Sequence, residues 1–170
     1  MALIVEDGTG KSDAETYVSV ADADTYHTAY GNPSAWSGAA TGDKESALRK
    51  AAQYLDAKYR LSWKGTRSVQ TQALAWPRMD VTDFDGYDLD ANALPQKLKD
   101  AASVMALRSI GEDIYPDVSS PGDISEETVR VGPITESIKY TGGRSQLKSY
   151  TLVEELLSDL IGASQTLERA

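Results

Sequence analysis

Residues 43–60, DKESALRKAAQYLDAKYR, decide the fold. Leu48, Ala51, Ala52, Leu55 and Tyr59 recur at the three- and four-residue spacing that puts them on one stripe of an α-helix. Lys44, Arg49, Lys50, Lys58 and Arg60 occupy its other faces, and Asp43 stands where an N-cap is expected. The segment therefore reads as one wall of an apolar core with a solvated back. Three further segments share its grammar. In SVADADTYHTAYG (19–31) Ser19 can cap, Asp22 and Asp24 suit the positive end of a helix dipole, and Gly31 can stop the helix. From Leu94-Pro95 a stripe of Leu98, Ala101, Ala102, Met105 and Ile110 runs to Gly111, with proline in the first turn, where its missing N–H costs nothing. In TLVEELLSDLIG (151–162) Thr151 and Glu154 are spaced as a capping box, ahead of an apolar face of Leu152, Val153, Leu156, Leu157, Leu160 and Ile161. Residues 32–42, between the first two helices, read as a loop.

The stretch between Gly111 and Thr151 differs in kind. EDIYPDVSSPGDISEE (112–127) is acidic, proline-bearing and turn-rich, which is linker chemistry. ETVRVGPITESIKY (127–140) alternates apolar and polar, so Val129, Val131, Ile134, Ile138 and Tyr140 can line one side of a short hairpin broken at Gly132-Pro133. About forty residues of this character inside a compact domain usually serve a partner. The sequence thus predicts a mainly α protein: a small helical bundle with a long extended or β-hairpin excursion and a short C-terminal helix. Its expected divisions are an N-terminal arm (1–18), a helical core (19–111), an extended arm (112–150), and the last helix with its tail (151–170).

Composition excludes several functions. The 170 residues are 41% hydrophobic, enough for one packed core. No apolar run approaches the roughly 18 residues of a membrane span, and MALIVEDGTG lacks the basic start and apolar stretch expected of a secretory signal. Without cysteine there are no disulfides, thiolate metal sites or thiol nucleophiles. The single histidine, His27, leaves no histidine-rich metal site and one candidate base, and its helical, tyrosine-flanked setting reads as packing rather than catalysis. No catalytic residues, metal or cofactor are expected, and the chain does not read as an enzyme. A net charge of −9 argues against tight nucleic-acid binding, which draws on phosphate neutralisation.

Three motifs need weighing. AWPRMDVTDFDGYD (75–88) has the aspartates of a calcium loop, but with Gly86 in the glycine position the anchoring places fall on Val81 and Asn92. The alternative is a structural elbow: Trp76 and Pro77 pin a loop to the core, Gly86 supplies a positive φ, and Arg67 and Arg78 pair with carboxylates or a partner. GTGKS (8–12) ends like a phosphate loop, yet the required upstream glycine is Val5. Finally, Lys44, Arg49, Lys50, Lys58, Arg60, Lys64, Arg67 and Arg78 are interleaved with Tyr54, Tyr59, Trp63 and Trp76. That pattern suits phosphate contact with base stacking. It suits better buried rings under a solvated cationic face, because tyrosines beside the Leu48/Leu55 stripe are needed inside, and a third option is a basic patch that docks on an acidic protein.

The succession MALIVEDGTG, YVSVADADTYHTAYGN, ALRKAAQYLDAKY, WKGTRSVQTQALAWPR, DGYDL and LPQKLKDAASVMALRS resembles a family of tailed-phage and prophage proteins described as DnaT-like single-stranded-DNA-binding proteins, most specifically at Gln72 to Arg78. It is also similar to the head–tail connector, or adaptor, proteins that dock beneath the portal. VRVGPI and LVEELLSDLI match that family's tail region more loosely. The connector resemblance implies a homo-oligomeric ring of typically twelve copies, joining the portal to the tail terminator or other tail-proximal proteins, with double-stranded DNA passing through and not tightly held. The same resemblance implies location in the virion after synthesis in the host cytoplasm. The first resemblance implies binding of single-stranded DNA. An acidic balance favours the connector, because DNA must slide through such a channel without sticking.

Overall fold

A computed structural model describes residues 3–115, 126–131, 134–139 and 149–162. Among them are five helices and two short antiparallel ladders: α1 (Val20–Ala29), α2 (Ser34–Ser37), α3 (Thr41–Lys58), β1 (Thr66–Arg67), β2 (Arg78–Met79), α4 (Gln96–Gly111), β3 (Glu126–Val131), β4 (Ile134–Lys139) and α5 (Thr151–Leu157). The protein is mainly α, as its periodicity demands. The chain divides into two units. One runs to Ile114 and resumes at Tyr150; the other is the intervening segment.

The helical unit is built on α3 against α4. Leu48, Ala51, Ala52 and Leu55 of α3 and Leu98, Ala101, Ala102, Met105 and Ala106 of α4 are fully buried. The alanines matter as much as the leucines, because small side chains at facing positions let two helix backbones approach closely. Polar bonds fix the neighbours: Ser109 Oγ donates to the Ala47 carbonyl at 3.3 Å, and His27 Nε2–H of α1 donates to the Ser103 carbonyl at 3.1 Å. His27 is a satisfied core residue, only 2% exposed, and burial lowers its pKa below the usual imidazole value. α5 packs on α4 and supplies Val153, Leu157 and, just beyond its end, Leu160 to the same core.

Several boundaries differ from the sequence reading. α1 starts as expected, with Ser19 Oγ accepting from the Asp22 N–H at 3.1 Å. α3 begins at Thr41, two residues before the expected Asp43 cap; Asp43 lies instead in the first turn, where a carboxylate still meets the positive helix end. The presumed loop 32–42 contains α2, whose Trp36 is 1% exposed and whose indole N–H donates to Asp24 at 2.7 Å. A buried tryptophan there gives four residues reason to coil. The capping box at Thr151 does not form. Thr151 is already helical, Tyr150 is the N-cap, and no side chain caps the end.

In the second unit β3 and β4 form an antiparallel pair, with Val129 opposite Glu136 and Val131 opposite Ile134. This register puts Val129, Val131, Ile134 and Ile138 at positions on one face of the ladder, together with Glu127 and Glu136, and Thr128, Arg130, Thr135 and Ser137 on the other. Tyr140, expected on the apolar side, lies outside the described residues, as do Gly132 and Pro133.

A candidate interaction surface

The segment expected to offer both cations and rings is where geometry matters most. Its rings are in the core: Trp76 is 0% exposed, Tyr59 5%, Tyr54 6% and Trp63 8%. Trp63 and Trp76 meet edge to face at 6.0 Å between centroids, and Tyr59 packs against Trp63 at 5.6 Å. No stacking platform for bases remains on these four side chains.

Most of the cations are committed internally. Lys44 Nζ pairs with Asp24 at 2.8 Å and lies over the Trp36 ring at 5.3 Å. Arg49 reaches Glu15 at 2.9 Å and Glu45 at 3.8 Å. Lys58 bonds Glu154 of α5 at 2.9 Å and sits 5.6 Å and 5.4 Å over the rings of Tyr54 and Tyr59. Burial would lower the Lys58 pKa, but the Glu154 carboxylate and the Tyr54 and Tyr59 hydroxyls together outweigh it and the net direction is upward. Lys64 Nζ donates to the Thr82 carbonyl at 3.4 Å, and Arg67 Nη1 to that of Gln72 at 3.3 Å. Of the eight, Lys50 and Arg60 remain exposed and outside any ion pair among the described residues.

Arg78, expected to pair with a carboxylate or a partner, instead ties the elbow by backbone. Its guanidinium donates to the carbonyls of Lys64 at 2.6 Å, Gly65 at 2.6 Å and Ala75 at 3.2 Å, and half-burial lowers its pKa. Gln72, fully buried, accepts from the Val69 N–H and donates to the Leu74 and Pro77 carbonyls. The Trp76–Pro77 peptide is cis. Gln72, Trp76, Pro77 and Arg78 are thus one clasp, holding a segment that has almost no regular structure. Gly65 belongs to it: at φ +64° a Cβ there would fall 2.1 Å from the Met79 carbonyl oxygen.

Two carboxylates with internal partners, half-buried Asp56 and buried Glu6, went unmarked in the sequence. Asp56 of α3 accepts from the Tyr17 hydroxyl and, at 2.9 Å, from the Ala75 N–H. Burial raises its pKa to about 6, although those two hydrogen bonds act the other way. Glu6, 2% exposed, accepts from the backbone N–H groups of Gly8, Gly10 and Lys11 at 2.8–2.9 Å. The GTGKS loop does form an anion cradle, and the protein's own carboxylate occupies it. Both partnerships are set by chain reversals that leave no periodic signal.

One described segment projects an acidic and aromatic turn to solvent. Residues 80–90 contain five aspartates and no lysine or arginine. They form a narrow turn: Asp83 N–H donates to the Tyr87 carbonyl at 3.0 Å, Tyr87 N–H to Asp83 Oδ1 at 2.8 Å, and Leu89 N–H to the Val81 carbonyl at 2.8 Å. Gly86 takes the expected positive φ, +87°. At its tip Phe84 is 89% exposed and Tyr87 72%. No described group of three or more His, Cys, Asp or Glu side chains is arranged to hold a metal ion. None of the described helices is long and apolar enough to cross a membrane.

A family model described as "Putative DnaT-like ssDNA binding protein" matches residues 1–170. No curated protein and no solved structure matches the chain.

Proposed function

The chain belongs to the DnaT-like single-stranded-DNA-binding family; from the surface it presents we propose that it is nonetheless a non-catalytic adaptor of the phage head–tail junction. The observation that carries this reading is the fate of residues 44–78. A single-strand binder needs open cations along a groove and exposed ring faces. Here the rings fill the core, and Lys44, Arg49 and Lys58 are neutralised by Glu and Asp of the same chain. Beside the exposed Lys50 and Arg60, what is offered to a partner includes the acidic turn at 80–90 with its projecting aromatics, and the two-stranded unit. That is protein-binding equipment.

On this reading copies associate as a ring on the portal and receive tail-proximal proteins below. Double-stranded DNA crosses the lumen without tight contact, since acidic walls repel phosphate. A two-stranded ladder is marginal alone and gains from added strands or apolar cover, so β3–β4, with Val129, Val131, Ile134 and Ile138 on one face, supplies subunit or portal contacts. The protein acts in the virion and is made in the host cytoplasm.

The family's description favours a second reading, binding of single-stranded DNA. Lys50 and Arg60 are the exposed cations it would draw on first. One pair of measurements separates the two. Infected cells lacking this gene are imaged by electron microscopy while phage DNA is quantified. The adaptor reading expects normal DNA amplification, with filled heads and free tails that never join. Arrested amplification before any head fills would overturn it. In parallel, anisotropy of a labelled oligo(dT) should show no saturable binding at micromolar protein. A salt-dependent affinity, its log–log slope about −0.7 per phosphate contact, would make the family description the activity.

A further inference from the structure

We propose that the turn at 83–88 is the docking tip of the molecule, and that Phe84 and Tyr87 insert into an apolar cleft bordered by lysine or arginine on another structural protein of the particle. The inference rests on the adaptor reading and names the element that makes its contact.

The rings carry the argument. Phe84 is the chain's single phenylalanine and is 89% exposed, and Tyr87 is 72% exposed, although an aromatic side chain ordinarily does most for stability when buried. Their backbone is held rather than loose. The Asp83–Tyr87 hydrogen bonds, the Thr82–Asp88 bridge and the Leu89–Val81 bond brace the turn, and Val81 at its base is 1% exposed. Two exposed rings on a braced turn have little ordering entropy to lose on binding, which is the economy of an anchor residue. Asp83, Asp85 and Asp88 around them make the tip repel phosphate and attract cations. The occupant is therefore a basic protein surface. A second copy of this chain suits it poorly, because its net charge is −9 and Lys44, Arg49, Lys58 and Lys97 are already held by carboxylates of their own molecule.

The experiment uses DNA-filled, tail-less heads from phage lacking this gene, with purified tails and added full-length protein, and counts infectious particles. Wild-type protein should restore joining. F84S/Y87S should restore it with an apparent affinity at least about 30-fold weaker, while its melting temperature is unchanged because neither ring is in the core. The triple variant D83N/D85N/D88N should slow restoration at low salt and match wild type at high salt, the signature of lost steering. If wild type restores joining and F84S/Y87S does so equally well, the tip is not the anchor and the adaptor reading stands without it. A photo-crosslinker at position 84 that captures a second copy of the chain overturns the choice of partner. If wild type itself restores nothing, the adaptor reading falls and the tip falls with it.

Discussion

At the scale of single residues, stability turns on buried polar atoms whose partners come from far along the chain. Asp56 is the plainest case. Its native pKa, raised by burial to about 6, lies above the ordinary aspartate value near 3.8, so the native state binds the proton more tightly than the unfolded chain does. The sign follows: Asp56 favours folding most below about pH 4, and that advantage declines as pH rises toward 6. Asp56→Asn removes the titration. In urea unfolding between pH 4 and 7, wild-type stability minus that of Asp56→Asn should fall by roughly 2–3 kcal/mol, at about 1.4 kcal/mol per pH unit where it is steepest. A flat difference would mean that the carboxylate is ionised throughout. Trp76 poses the complementary case. It is 0% exposed, and its indole N–H has no acceptor among the described residues. Trp76→Phe removes volume and no hydrogen bond, whereas Trp76→Ala opens a cavity costing about 3–5 kcal/mol. Thermal unfolding should rank the two variants clearly, and equal losses would show that a phenyl ring fills the site no better than a methyl group does.

At the scale of elements, α5 shows which force fastens the end of the chain. Lys58–Glu154 ties it to α3, but the two side chains are 27% and 40% exposed, and such a pair contributes at most about 1 kcal/mol. Val153, Leu157 and Leu160 are essentially fully buried. Leu157→Ala should lower the unfolding free energy by about 2–5 kcal/mol, and Glu154→Gln by less than about 1 kcal/mol, both read from urea titration. The reverse order would make the ion pair the fastener. The contrast also explains what was legible in the sequence. The stripes of α3 and α4 could be read because burial on one face imposes a 3.6-residue period, and the strands β3 and β4 because pleating imposes a period of two. α2 was not legible, since four residues hold barely one turn and Trp36 alone fixes it. The fate of the basic–aromatic segment was not legible either. Interleaving of Lys and Tyr looks the same whether the rings face solvent or core, and only the positions of Asp24, Glu15 and Glu154 settle where the cations point. The turn at 83–88 was readable as a turn from Asp-Gly, but nothing local revealed that Phe84 would stay outside.

At the scale of the whole molecule, the helical unit is discontinuous in sequence, and its two ends of chain meet. Tyr150 Oη donates to Glu112 at 3.2 Å, and the Tyr150 ring stands edge to face with Tyr54 at 5.7 Å. The chain therefore leaves this unit and rejoins it at nearly one place. An insertion with adjoining ends can be shortened without disturbing what it is inserted into, because its cost to the fold is loop closure, which grows only with the logarithm of length. Replacing residues 116–148 by a flexible linker of about eight residues should leave the melting transition in place or raise stability by about 1 kcal/mol. Cutting the chain after Gly111 is a different operation, because it also removes α5 and with it Val153 and Leu157 from the core; that protein should not fold cooperatively. The pair of variants isolates the excursion. If the excised protein keeps its transition but no longer joins heads to tails, the segment from Tyr115 to Ser149 works as an arm for partners. If it keeps both, docking resides in the helical unit. Loss of the transition would make the excursion part of the core, against the division of the chain into two units.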